Sequence, residues 1–121
     1  MKTQRKILLI DDEKDFLYVI KMALEKRGFT VMTLSECDNL LAAVGEFKPD
    51  LIFIDHNMPH ICGTDAIKLL KATAISKHIP VILISASENV AQLAKECGET
   101  DHHVKPVPIN NFVNFAVRYI S

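Results

Sequence analysis

No apolar run in this chain approaches the roughly 20 residues that a helix needs to cross a bilayer, so a membrane span is excluded. Charge of either sign is nearly balanced. The net charge of −1 leaves no basic field that would draw nucleic acid or an anionic membrane. The start of the chain, Met1-Lys2-Thr3-Gln4-Arg5-Lys6, is basic, but it leads into a short apolar segment with no signal-peptide cleavage site after it. Cysteine is sparse. Cys37, Cys62 and Cys97 make an odd set without framework spacing, which points to reduced thiols and a cytoplasmic protein. There are no internal repeats, low-complexity tracts or linker-like stretches.

What is present suits one ordinary domain. Hydrophobic residues make up 49% of the 121 positions and charged residues 24%, enough to build a full core and too apolar for disorder. Strand-like and helix-like periods alternate from end to end. Ile7–Ile10 reads as a strand, followed by an amphipathic helix carrying Phe16, Leu17, Ile20 and Leu24 and stopped at Gly28. Phe29–Leu34 reads as the second strand. Asp38 is the expected cap of a helix with Leu40, Leu41, Val44 and Phe47, ended by Pro49. Leu51–Ile54 is the third strand, and Ala66, Ile67, Leu69 and Leu70 mark a helix capped by Thr64 or Asp65. Val81–Ile84 is the fourth strand, with a weaker helix over 88–97. His102-His103-Val104 is a short fifth strand, and 109–120 is the last helix. Near-continuous apolar strands separated by helices imply a parallel sheet covered on both faces. The expected fold class is α/β, a flavodoxin-like doubly wound (βα)5 domain with strand order 2-1-3-4-5.

In such a sheet the carboxyl ends of the strands share one edge, where ligands and chemistry collect. The first strand delivers Asp11-Asp12-Glu13 there, the third Asp55, the fourth Ser85 and the fifth Lys105. Taken singly, each has an ordinary reading as a turn residue, a helix cap or a solvated charge, and the acidic run would suit the first helix dipole. Their coincidence at four strand ends is what those readings leave unexplained. Clustered carboxylates repel unless a cation neutralises them, and a hard divalent ion such as Mg²⁺ prefers oxygen ligands of this kind. A carboxylate can also attack phosphorus to give an acyl phosphate, with an ammonium, a hydroxyl and a metal neutralising the phosphoryl oxygens. Asp55, Lys105, Ser85 and a metal on Asp12 would make that set.

These residues resemble the receiver domains of two-component response regulators, over about residues 6–120. The segment Asp55-His56-Asn57-Met58-Pro59-His60-Ile61-Cys62-Gly63 fits the receiver pattern D-x-x-M-P-x-x-x-G, and Asp11-Asp12, Ser85 and Lys105-Pro106 fall at the matching places. The resemblance implies that Asp55 is the phosphoacceptor, charged by a histidine kinase or a histidine phosphotransfer protein. It implies that Asp12 binds Mg²⁺ directly together with Asp55, Asp11 through water, and Asn57 by its backbone carbonyl. Lys105 would pair with Asp55 and then with its phosphoryl group, Ser85 would donate its hydroxyl, and the Lys105–Pro106 peptide would be cis. Asn57 and Ser87 would influence how fast water removes the phosphoryl group. The response would run through Ser85 and His102 to a target protein docking on the face made by the fourth helix, fifth strand and fifth helix. With the charge and hydropathy given above, no nucleic-acid binding and no membrane insertion are expected, and no enzymatic turnover beyond self-phosphorylation and autodephosphorylation. The chain is read as one receiver, residues 1–121, without an output domain, or as a domain of a longer chain such as a hybrid kinase.

The chain departs from the pattern where receivers usually carry Tyr or Phe, three residues before the lysine. His102 stands there, followed by His103, with Gly98-Glu99-Thr100 before it and Val107 after Lys105-Pro106. A histidine can rotate and hydrogen-bond as tyrosine does, and it titrates near neutral pH, which would give a pH-sensitive output. The ordinary reading is a half-exposed ring on an edge strand. His56, His60 and Cys62 suggest zinc only weakly, because a fourth ligand is missing. In the last helix Ile109, Phe112, Val113, Ala116, Val117 and Ile120 form the expected core stripe. Phe115 and Tyr119 beside it read either as a docking face or as the margin of a wide stripe. Other classes differ at particular positions. A flavoprotein would want a Ser/Thr/Gly-rich loop after the first strand, where acids stand instead. A Mg²⁺-dependent phosphohydrolase would want a second carboxylate at Asn57. A phosphorylation-independent interaction domain is favoured only by His102.

Overall fold

The computed structural model describes residues 5–36, 39–56, 63–86, 89–96, 101–105 and 107–120, with backbone alone at 63 and 64. Five parallel strands are β1 (Lys6–Ile10), β2 (Thr30–Leu34), β3 (Leu51–Asp55), β4 (Val81–Ser85) and β5 (Asp101–Val104). They alternate with helices α1 (Lys14–Glu25), α2 (Leu40–Phe47), α3 (Gly63–Ala72), α4 (Val90–Glu96) and α5 (Ile109–Tyr119). The sheet order is β2-β1-β3-β4-β5, the order that the alternation of periods led us to expect.

The two-residue period of a strand sorts the apolar residues onto two faces. Ile7, Leu9, Leu51, Phe53, Ile82 and Ile84 point to one side, where α1 and α5 cover them with Leu17, Ile20, Leu24, Phe112 and Ala116. Leu8, Ile10, Ile52, Ile54 and Leu83 point to the other, against Leu40, Val44, Ile67, Leu70 and Val90 of α2, α3 and α4. Every residue of β3 and β4 is buried, because these strands are covered on both faces and carry no solvent-facing row. β5 lies at the sheet edge, and three of its four residues are exposed.

Several element ends differ from the sequence reading. α3 begins at Gly63, so Thr64 and Asp65 lie within its first turn instead of capping it. Asp65 still sits favourably there against the helix dipole. Asp38 lies outside the described residues; Asn39 precedes α2 and makes no side-chain capping bond. α2 closes on Lys48 in the left-handed conformation, φ 55°, with its N–H donating to the Val44 carbonyl, ahead of Pro49. After α1 the chain turns through Gly28 at φ 90°, a conformation that L side chains rarely adopt. Gly28→Ala is therefore expected to lower stability by about 1 kcal/mol in chemical denaturation, with unchanged fold.

α5 corrects the reading of its aromatic pair. Phe115 is 9% exposed and belongs to the core, whereas Ile109 and Val117, expected to be buried, are 43% and 42% exposed. The buried stripe is rotated because Phe53 of β3 lies beneath it, with ring centroids 5.1 Å from Phe112 and 6.4 Å from Phe115. Tyr119 is half-buried against the same cluster. Phe115 and Tyr119 thus form the margin of a wide core stripe, and the docking-face reading of this pair falls.

Candidate functional site

The parallel register brings the ends of β1, β3, β4 and β5 to one edge. Asp11 follows β1 directly, and its backbone N–H donates to the Leu34 carbonyl at 3.1 Å. Asp55 closes β3 opposite Ile84, and the next N–H, of His56, donates to the Ile84 carbonyl at 2.9 Å. Ser85 closes β4 and is completely buried. Lys105 follows β5, its N–H donating to the Ser85 carbonyl at 2.8 Å. The ends of β3, β4 and β5 are thus joined by backbone bonds, and the end of β1 is tied to β2. β1 also pairs with β3 up to Ile10 and Ile54, so the side chains at this edge are held in a fixed register.

Lys105 is the hub. Its Nζ lies 2.9 Å from Asp11 Oδ2, 3.2 Å from Asp55 Oδ1 and 3.9 Å from Glu13 Oε1. Asp11 and Asp55 are each 4% exposed, so two carboxylates share one ammonium almost out of water. The Glu13 N–H donates to the other Asp11 oxygen at 3.0 Å, which fixes that carboxylate at the mouth of α1. Burial, and then the charge of Asp11, push the Asp55 carboxyl above its ordinary 3.8, although Lys105 opposes them. Burial alone would lower Lys105, but the hydrogen bond and charge of Asp11, with those of Asp55, raise it above 10.5. One ammonium does not fully compensate the acids.

An oxygen from each of Asp11, Asp12 and Asp55 lies within 4.8 Å of the others, with Asp12 exposed and the other two buried. Three hard carboxylate donors with an uncompensated buried charge fit a divalent cation that keeps oxygen ligands and water.

The sequence matches the family described as response regulator receiver domain over residues 7–116. The phosphate regulon transcriptional regulatory protein PhoB of Klebsiella pneumoniae is 33% identical over 84% of this chain and 45% of its own length. The receiver domain of Francisella response regulator 1452 superposes with a TM-score of 0.84 at 28% identity, over 96% of each chain. The chemotaxis response regulator CheY4 of Vibrio cholerae superposes at 0.87 over 98% of this chain and all of its own; at 24% identity that likeness speaks for the fold alone. This chain belongs to the response regulator receiver domain family. The receiver spans about half the length of the curated relatives it matches.

Receiver domains are phosphoacceptor switches of two-component signalling, and the acids of this receiver form the pocket just described. Of the site residues singled out in the sequence, Asp11, Asp12, Asp55, Ser85 and Lys105 come together at one edge. Asn57, Ser87, the Lys105–Pro106 peptide, and His60 and Cys62 of the zinc reading lie outside the described residues. His56 is half-buried beside Asp55, and its Nδ1 has no partner among the described residues. No helix among the described residues is long and apolar enough to cross a membrane.

Two features escaped the sequence reading. The Phe16 ring lies under the Lys105 ammonium, 5.3 Å from centroid to Nζ. Its placement as the first apolar position of α1, five residues after Asp11, was the available signal. The second is on β5: His102 is exposed, while His103 is half-buried and stacks on Phe115 at 4.0 Å with 17° between the rings. Burial, and then the neighbouring His102, lower the His103 pKa below 6.5, against the pull of Asp101. A histidine depressed in the folded state contributes stability that is complete above 6.5 and is lost as pH falls through its folded value. His103→Phe keeps the stack and removes the proton site. Its thermal midpoint is expected to fall less than the parent's between about pH 7 and pH 5. Parallel pH profiles for the two proteins would exclude His103 as the titrating group.

Proposed function

We propose that this receiver is a cytoplasmic switch in which Asp55 accepts a phosphoryl group from a histidine kinase, a histidine phosphotransfer protein or a small phosphodonor, with Mg²⁺ bound at the acidic pocket. The observation that carries the reading is the Lys105 ammonium held between Asp11 and Asp55 at the meeting of β1, β3 and β5. One Asp55 oxygen attacks phosphorus as the bond from phosphorus to the donor breaks, and the donor leaves with that electron pair. Lys105 is already within contact distance of the attacked carboxylate, and it neutralises charge on the transferred oxygens. Ser85, buried at the end of β4, supplies its hydroxyl to the same group. Asp12 and Asp55 would hold the metal directly, Asp11 through water and Asn57 by its carbonyl. Bound there, Mg²⁺ supplies positive charge that draws the phosphodonor in and balances the developing phosphoryl charge.

The output follows from differential contact. A phosphoryl group carries about −1.5 to −2 charges at neutral pH and three acceptor oxygens. Lys105 and Ser85 gain contacts with it that the bare carboxylate does not offer, and only such a difference can shift a two-state equilibrium. Ser85 ends β4 and Lys105 follows β5, and both strands pack against α4, which favours the α4-β5-α5 face as the place where a target protein binds. Val104, Ile109 and Val117, each more than 40% exposed, give that face apolar content. A coupling of about 1–3 kcal/mol would change target affinity roughly 5–150-fold.

Incubation with acetyl phosphate and Mg²⁺ followed by intact-mass measurement tests the reading. The expected product carries one phosphoryl group, and its formation needs the metal. An unmodified mass at all metal concentrations would overturn the reading, and continuous release of phosphate would move the chain to the phosphohydrolases.

A further inference from the structure

Lys105 is a long, flexible side chain with three carboxylates in reach, and nothing in the charges alone selects the buried pair. Glu13 Oε1, at 3.9 Å on a side chain 68% exposed, offers the ammonium a partner in water. Phe16 offers the opposite pull. The ammonium sits over its face at 5.3 Å, within the range where a ring's negative face attracts a cation. The ring is itself fixed. It meets Phe112 edge to face at 5.6 Å and 69°, and Phe112 meets Phe53 at 5.1 Å and 64°. Phe53 stands two residues before Asp55 on β3, so the ring under Lys105 and the carboxylate beside it are anchored to one rigid aromatic cluster.

We propose that Phe16 is a positioning residue for Lys105, holding the ammonium at Asp55 throughout phosphoryl transfer. The proposal rests on the phosphoacceptor reading and deepens it. Asp11 and Asp55, the two close anchors of Nζ, are the groups that a metal or a phosphoryl group would engage. An aromatic face takes up neither, so its hold on the lysine persists when the charges around it are redistributed. Leucine fills similar space without the negative face, whereas tyrosine retains it.

The test compares the parent, Phe16→Leu and Phe16→Tyr, each also in a Lys105→Met background, by the rate of labelling with acetyl phosphate at saturating Mg²⁺. Phe16→Leu is expected to label roughly fivefold to tenfold more slowly, Phe16→Tyr within about twofold of the parent. In the Lys105→Met background Phe16→Leu should have no further effect, because the residue through which it acts is gone. Proton NMR of the Lys105 Cε methylene gives a second readout. Its ring-current shift should be present in the parent and Phe16→Tyr and lost in Phe16→Leu. Parent-rate labelling of Phe16→Leu, the same slowing in both backgrounds, or a methylene signal that does not move would each overturn the proposal. If the parent is never labelled but the methylene behaves as stated, the phosphoacceptor reading fails while the positioning of Lys105 stands.

Discussion

Asp55→Asn is expected to take up no phosphoryl group from acetyl phosphate and Mg²⁺, and to melt at a higher temperature than the parent in divalent-free buffer near neutral pH. The first half follows from removing the nucleophilic oxygen. An amide cannot form the acyl phosphate, and no other described acid is placed both at the end of β3 and against Lys105. The second half follows from burial. In the folded state Asp55 holds its proton more tightly than in the unfolded chain, through burial and the charge of Asp11. A carboxyl raised in this way weakens folding progressively as pH rises from 3.8, and the whole penalty is in place once pH exceeds its folded value. Asparagine keeps the shape and an oxygen for Lys105 while removing the charge. The stability gap between variant and parent should therefore close as pH falls towards 3.8. Intact mass and thermal melts read the two halves separately. Labelling of the variant at the parent's rate would falsify the acceptor assignment, and a lower melting point would show that Lys105 outweighs burial and Asp11.

Strands β1, β3 and β4 were legible because each is a nearly unbroken apolar run, and a run such as Leu51–Ile54 has one reading once turn residues bound it. Legibility of the acidic edge followed from the fold, since parallel strands all end on one side and the residues after them must meet. Fine placement was not legible. The resemblance to receivers pairs Lys105 with Asp55, yet its shorter contact is to Asp11, 2.9 Å against 3.2 Å. α5 carries apolar residues around more than half its circumference, so its period admits two faces, and only the position of Phe53 decides that Phe115 is inside. The same limit hid His103, whose contact depends on which face of an edge strand a helix covers. Phe16 over Lys105 depends on the rotation of α1 and the orientation of one ring, neither of which residue spacing encodes.

Lys105→Met should be the most destabilising change at the site, because it leaves Asp11 and Asp55 side by side without their shared cation. Removing one partner of a buried ion pair costs about 3–5 kcal/mol; with the Lys105 side chain 19% exposed, the lower end, about 3 kcal/mol, is expected here. For a domain of this length that is a fall of about 10 °C in melting temperature. Methionine retains an unbranched side chain of similar reach, so the loss is that of the ammonium, with its charge, its hydrogen bonds and its place over the Phe16 ring. The raised pKa of Lys105 sets the alkaline limit. Its contribution is complete below 10.5 and disappears as pH rises through the folded value, so parent and variant should converge there. Mg²⁺ should stabilise the variant more than the parent, since a divalent ion on Asp11, Asp12 and Asp55 replaces the missing charge. Labelling by acetyl phosphate should slow by roughly 10²-fold, the usual cost of one preorganised charge-stabilising group. Thermal melts with and without Mg²⁺ at neutral pH decide the matter. A variant as stable as the parent in metal-free buffer would mean that the two acids share their burial without needing the lysine, and the electrostatic account of this pocket would have to be abandoned.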